Sequence, residues 1–145
     1  MEERFKFRAW LPAKSKMYYD VECLYDPSSN SQFAGIESDS FASLLARHTA
    51  PFDEDERIIL MQSTGLRDKN GKLIYEGDII QVVDIEDKSI AQVVWDKTYA
   101  LFGKIFIGKE YEPLICRFNK IDSKIFEVIG NIYENPELLT NNKGE

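Results

Sequence analysis

The chain has 145 residues, 43% of them apolar and 30% charged, with 18 basic against 25 acidic side chains and a formal charge of −7. This is the balance of one soluble globular domain able to bury a core, and it excludes a disordered chain. No apolar run approaches the roughly 20 residues that span a bilayer, and the opening MEERFKFRAW lacks the apolar stretch of a secretory signal, so a cytoplasmic protein with no membrane partner is expected.

In chain order, FKFRAW alternates. Phe5, Phe7 and Ala9 fall on one strand face, and Arg4, Lys6, Arg8 and Trp10 on the other. LPAKSK reads as a turn and KMYYDVECLY as a second strand, which places an N-terminal hairpin within residues 1–25. DPSSNSQ (26–32) is a loop by composition. Phe41, Leu44, Leu45 and His48 then recur at helical spacing, with Ser38 or Asp39 as N-cap and Pro51 as the stop, which predicts a helix over 38–49. DEDE (53–56) is a solvated acidic loop.

Strand signals fill residues 58–133. RIILMQS, DIIQVVDIE, SIAQVVWD, YALFGKIFIG, PLICRF and KIFEVIGNIY follow one another across short loops, as in a small barrel or strongly bent antiparallel sheet. The tail ENPELL predicts a helical turn at 135–139, with Asn135 capping, Pro136 in the first position, and Leu138 and Leu139 buried. There is no repeat and no linker. The expected fold is a single β-dominated α+β domain, with a hairpin, a short helix and the barrel-like region in that order.

TGLRDKNGKLIYEGDII, residues 64–80, holds the densest local signal. Counted from Asp68 as a calcium loop, Gly71 comes too early at position 4, and position 12 is Ile79 rather than a carboxylate. The segment reads instead as backbone geometry. Asn70-Gly71 makes a tight reversal between apolar flanks, Gly65 and Gly77 take special backbone angles, and Asp78 caps its own turn.

The spelling of that segment carries a resemblance. MQSTGLRDKNGKLIYEGDII resembles the signature of the YopX family, small proteins encoded by bacteriophages and prophages. KFRAW and KMYY match the family's opening, VVWD its middle strand, and EVIGNIYENPELL its ending. The likeness covers nearly the whole chain and is weakest between Ser28 and Glu56, where members vary. It implies a phage or prophage origin in a bacterial host, a β-rich α+β fold with a barrel-like C-terminal part, and no established enzymatic activity. It brings no catalytic residues.

The residues themselves supply no catalytic set either. His48, the sole histidine, shares the apolar helix face and reads as packed. Cys23 and Cys116 are far apart and read as reduced, packed thiols. Neither a GxSxG elbow nor a GxxxxGK[ST] phosphate loop occurs. No cofactor or metal is expected.

Three functions remain, in descending order. The first is a non-enzymatic interaction or assembly protein, expected to form a homo-oligomer or to bind a host or phage protein. Aromatics such as Tyr18, Tyr19, Tyr99 and Phe102 exceed the needs of one small core. The second is a nucleic-acid-associated barrel using Arg4, Lys6 and Arg8 as anion contacts beside Trp10, which the net acidity disfavours. Its variant is an acidic mimic that occupies a host DNA-binding protein. The third is a metal-dependent nuclease, built on Glu76 and Asp78 or on Asp53 with the Glu86-Asp87-Lys88 triplet.

Overall fold

A computed structural model describes residues 3–19, 57–83, 86, 88–108 and 116–140. The loop at 26–32, the helix expected at 38–49, the acidic run 53–56 and the residues Cys23, His48, Asp53 and Asp87 lie outside them. The chain forms two compact units. One holds residues 6–62, the other residues 1–5 and 63–145.

In the 6–62 unit, β1 (Phe7–Leu11) and β2 (Lys16–Tyr18) form the antiparallel hairpin, with Ala9 opposite Tyr18 and Leu11 opposite Lys16. The turn Pro12–Lys14 closes on Ser15, whose left-handed backbone lets its N–H donate to the Pro12 carbonyl at 3.1 Å. β3 (Ile59–Arg67) pairs with the other side of β1, Phe7 facing Gln62 and Trp10 facing Ile59. Ala9, Leu11, Ile58 and Leu60 form the core, with Phe7 and Tyr18 packed against it.

Here the structure departs from strict alternation. The face expected to be solvated is buried, since Arg8 is only 1% exposed and Trp10 is also in the interior. A strand flanked on both sides and covered on both faces has no wet row, whatever its spelling. Phe5, expected in the same strand, instead ends a separate 3-10 turn (Glu3–Phe5) and is exposed.

In the second unit, β3 continues through residues 63–67 and pairs there with β4 (Leu73–Tyr75). The remaining strands are β5 (Asp78–Val82), β6 (Ile90–Asp96), β7 (Leu101–Phe106), β8 (Cys116–Arg117) and β9 (Phe126–Asn131), with the short helix α1 (Lys120–Ser123) before β9. They build one antiparallel sheet in the order β8-β7-β6-β5-β9. Its order ends in two edges among the described residues, an open bent sheet rather than a closed barrel. Ile80, Ala91, Val93 and Phe126 point to one face and pack with Ile74 and Phe118. Phe118 meets Phe126 edge-on at 5.9 Å. Across β5 and β9, Ile79 faces Gly130 and Ile80 faces Val128, so Ile129 is a bulged residue that bends the pair.

Lys104 lies in this core. Its ammonium donates to the Arg117 carbonyl at 2.8 Å and sits 5.5 Å from the Phe118 ring centre and 5.6 Å from that of Phe126. The stem fills apolar space while the head keeps a carbonyl and two π faces. Cys116, next to Arg117, is half-buried.

The outer side of β9 is occupied. The Lys69 N–H donates to the Phe126 carbonyl at 3.0 Å, the Val128 N–H to Asp68 Oδ2 at 3.0 Å, and the Asn131 N–H to Asn135 Oδ1 at 3.3 Å. Asn135 therefore does not cap the terminal turn as its position suggested. The 3-10 turn Pro136–Leu139 starts with Pro136 and has no side-chain cap, because the Asn135 amide is turned back to the strand. Leu138 and Leu139 are only half-buried.

A methyl at Gly130 would stand 2.5 Å from Asn135 Oδ1. Gly130→Ala is expected to push Asn135 off the Asn131 N–H and destabilise the unit by about 1–3 kcal/mol. Urea denaturation of the variant, with faster amide exchange at Asn131, checks this.

Candidate functional site

The signature segment is a set of side-chain-to-backbone locks. Asp68, buried, accepts the N–H groups of Asn70 and Lys72 on Oδ1, each at 2.9 Å, and that of Val128 on Oδ2. The Gly71 N–H returns to the Asp68 carbonyl at 3.0 Å and the Asp68 N–H to Lys72 O at 2.8 Å. This is a three-residue hairpin loop whose last residue, Gly71, takes the positive φ of +81°. The two-residue turn with positive φ at both Asn70 and Gly71 is not formed. Asn70 instead donates its amide to Glu127 at 3.0 Å, while Lys69 lies 3.7 Å from the same carboxylate.

Gly65 has φ +76°, and a β-carbon on it would lie 3.1 Å from that of Arg4. Ser63 and Thr64 hold the irregular stretch around it. Ser63 Oγ takes the Gly65 N–H, while Thr64 Oγ1 takes the Leu66 N–H and donates to the Ile74 carbonyl. Between the pairs Ser63–Tyr75 and Arg67–Leu73, β3 spends two more residues than β4, which the bulge absorbs. Arg67 grips the Glu3 carboxylate through Nε and Nη2 and reaches the Gly71 carbonyl. The Glu3 hydrogen bond raises the guanidinium above its ordinary pKa.

Asp78, fully buried, accepts the Tyr75 N–H at 2.9 Å across the turn that holds Glu76 and Gly77. Gly77, at φ +83°, donates to the Val93 carbonyl and accepts from the Ile132 N–H. Glu76 and Asp78 thus sit in a tight turn, not on one extended face, and Asp78 is enclosed. Glu86 is exposed. Among the described residues no three His, Cys, Asp or Glu side chains gather.

Of the four candidate anion contacts only Arg4 is exposed. Arg4 belongs to the 3-10 turn of one unit, its guanidinium 4.6 Å from the Phe5 ring centre. Lys6, half-buried, and Arg8 and Trp10, both buried, belong to the other unit.

An exposed aromatic surface occupies the β6–β7 hairpin tip. Trp95 is 46% exposed and Tyr99 75%. Trp95 faces Phe102 across the strands, ring centres 4.9 Å apart and edge-on. Trp95 continues the inward row of Ala91 and Val93, but at the end of β6 that row runs out of cover. Asp96 fixes the tip by accepting the Thr98 N–H at 2.9 Å, and Ala100 adopts φ +51°. The surplus of aromatics hinted at Tyr99 and Phe102. The alternation of VVWD gave no warning that Trp95 would stand half in water.

These features define a small β-dominated protein whose main element is a curled antiparallel sheet, a half-barrel, with few and short helices among the described residues. The chain belongs to the YopX family, whose profile, described as YopX protein, matches residues 6–140. A crystal structure of protein EF1440 from Enterococcus faecalis is similar over 92% of this chain and 96% of its own, with 27% identity and a TM-score of 0.54. The yopX protein of Bacillus subtilis shares the fold at 19% identity, with 94% and 98% covered and a TM-score of 0.50. No curated protein matches the chain.

Two glycines and Asp68 give separable expectations. Asp68→Ala strands three N–H groups and should cost about 2–4 kcal/mol, with amide exchange at Val128 accelerating most. Gly71→Ala meets no neighbour within 4 Å, so only the backbone strain of about 1–2 kcal/mol applies. Gly65→Ala adds the Arg4 clash and should be the worse of the two glycine variants in the same thermal melt.

Proposed function

We propose that this chain is a non-enzymatic interaction or assembly protein of a phage or prophage, acting as a homo-oligomer in the bacterial cytoplasm. The observation that carries the reading is the β6–β7 tip. Two large aromatics stand in water on a hairpin whose turn is pinned by Asp96. Trp and Tyr are enriched at the centres of protein interfaces, because each buries much area for few rotatable bonds. Placing them on a fixed turn lowers the ordering cost of association. The signature motifs support the same reading, since Asp68, Asp78, Asn131 and Asn135 are all engaged in holding backbone. The phage or prophage origin rests on the resemblance of those motifs to the family's.

Size-exclusion chromatography with light scattering, read at 260 and 280 nm in low and high salt, tests this. The wild-type chain is expected to run as a nucleic-acid-free oligomer at both salts. Trp95→Ser/Tyr99→Ser should raise the dissociation constant by roughly 30-fold or more, the loss typical of two interface anchors, with its circular dichroism unchanged. A wild-type monomer at about 100 μM, well above common assembly affinities, would sink the proposal. A 260 nm signal stripped by salt would replace it with nucleic-acid binding.

A further inference from the structure

The second unit carries another exposed apolar patch, at the opposite end of the same sheet. Ile121 is 81% exposed, Ile125 51% and Val83 41%. The Val83 N–H donates to the Ile125 carbonyl at 2.8 Å, which continues the β5–β9 ladder one pair beyond Val82 and Phe126. Val82 and Phe126 point into the core, so Val83 and Ile125 stand on the other face of the sheet. Ile121 lies in α1, four residues before Ile125. Lys120 and Lys124 flank the two isoleucines. Both are exposed, and neither forms an ion pair among the described residues.

The strand directions fix where the two patches lie. Trp95 ends β6, whereas Val83 follows the end of β5, and β5 and β6 are antiparallel. The patches are therefore separated by most of a strand length, about 20 Å for strands of this size, and they face opposite ways. One copy cannot cover its own aromatic tip with its own aliphatic patch.

Their chemistries are complementary. Indole and phenol rings pack on isoleucine and valine, and their electron-rich faces attract ammonium groups such as those of Lys120 and Lys124. We infer that the aromatic tip of one copy docks on the Val83–Ile121–Ile125 patch of the next, with Lys120 and Lys124 over the rings of Trp95 and Tyr99. The contact joins two different surfaces. It is head-to-tail, and repetition gives a ring or a filament rather than a two-fold dimer. This rests on the assembly reading above and specifies its geometry.

Mixing two disabled variants tests it. Trp95→Ser/Tyr99→Ser lacks the tip, and Ile121→Ser/Ile125→Ser lacks the patch. All four side chains are exposed enough for both variants to fold, which circular dichroism checks. Each alone should be monomeric by light scattering. Their equimolar mixture should give a dimer and nothing larger, since one good tip meets one good patch and the chain of contacts then stops.

Lys120→Glu/Lys124→Glu should weaken wild-type association roughly tenfold through loss of the cation–ring contacts. Lys14→Glu/Lys72→Glu, with the same charge change elsewhere, should not. A mixture that stays monomeric while the wild-type chain associates would overturn the head-to-tail contact and leave assembly standing. So would a patch variant that keeps the wild-type mass. A wild-type monomer would remove both.

Discussion

The Asp68 carboxylate ties together parts of the chain that are 60 residues apart. One oxygen closes the loop after β3 by holding Asn70 and Lys72, and the other holds the Val128 N–H on the outer side of β9. Three donors to one buried, charged acceptor are stronger than three neutral bonds, and losing the acceptor leaves each donor unsatisfied. The Lys69 N–H on the Phe126 carbonyl and the Asn135 amide on the Asn131 N–H extend the same cover along the strand. Sheet edges with free hydrogen-bonding groups recruit other strands, and here the loop and the terminal turn occupy them.

This explains why the segments that identify the family say little about chemistry. DKNG sets a turn and supplies the Asp68 lock. EGD sets a second turn, in which Asp78 holds Tyr75 and Gly77 reaches across to β6. In the GNIYEN stretch, Asn131 accepts the Tyr133 and Glu134 N–H groups while Asn135 turns back to it. Each motif holds backbone. Apart from Trp95 in VVWD, the exposed residues Tyr99, Val83, Ile121 and Ile125 lie outside the family motifs.

Local requirements were legible in the sequence and long-range ones were not. Positive φ at Gly65, Gly71 and Gly77 follows from neighbours within a few residues, and a glycine there is readable as such. The Asn70-Gly71 dipeptide announced a reversal, but its type depended on where the ladder stopped, and Asn70 went to Glu127 instead. Alternation in FRAWL separated two faces correctly without saying that both would be covered, so the burial of Arg8 could not be read. Lys104 occupies an inward position that spelling alone marks as polar. Its interior place depends on Phe118, Phe126 and the Arg117 carbonyl, all from distant segments. The tip was half legible. Tyr99 was marked only by the surplus of aromatics, since YALFGKIFIG read as a strand from its first residue and the structure leaves Tyr99 in the turn before β7, whereas Trp95 continues a buried row and is uncovered only because the strand ends there.

The path of the chain has an evolutionary consequence. Residues 1–5 begin in the unit that residues 63–145 complete, and the intervening 6–62 form the other. The chain leaves and returns through strands that are themselves paired, Phe7 beside Gln62. A segment whose two ends are neighbours can be lengthened, shortened or exchanged while the frame around it keeps its register.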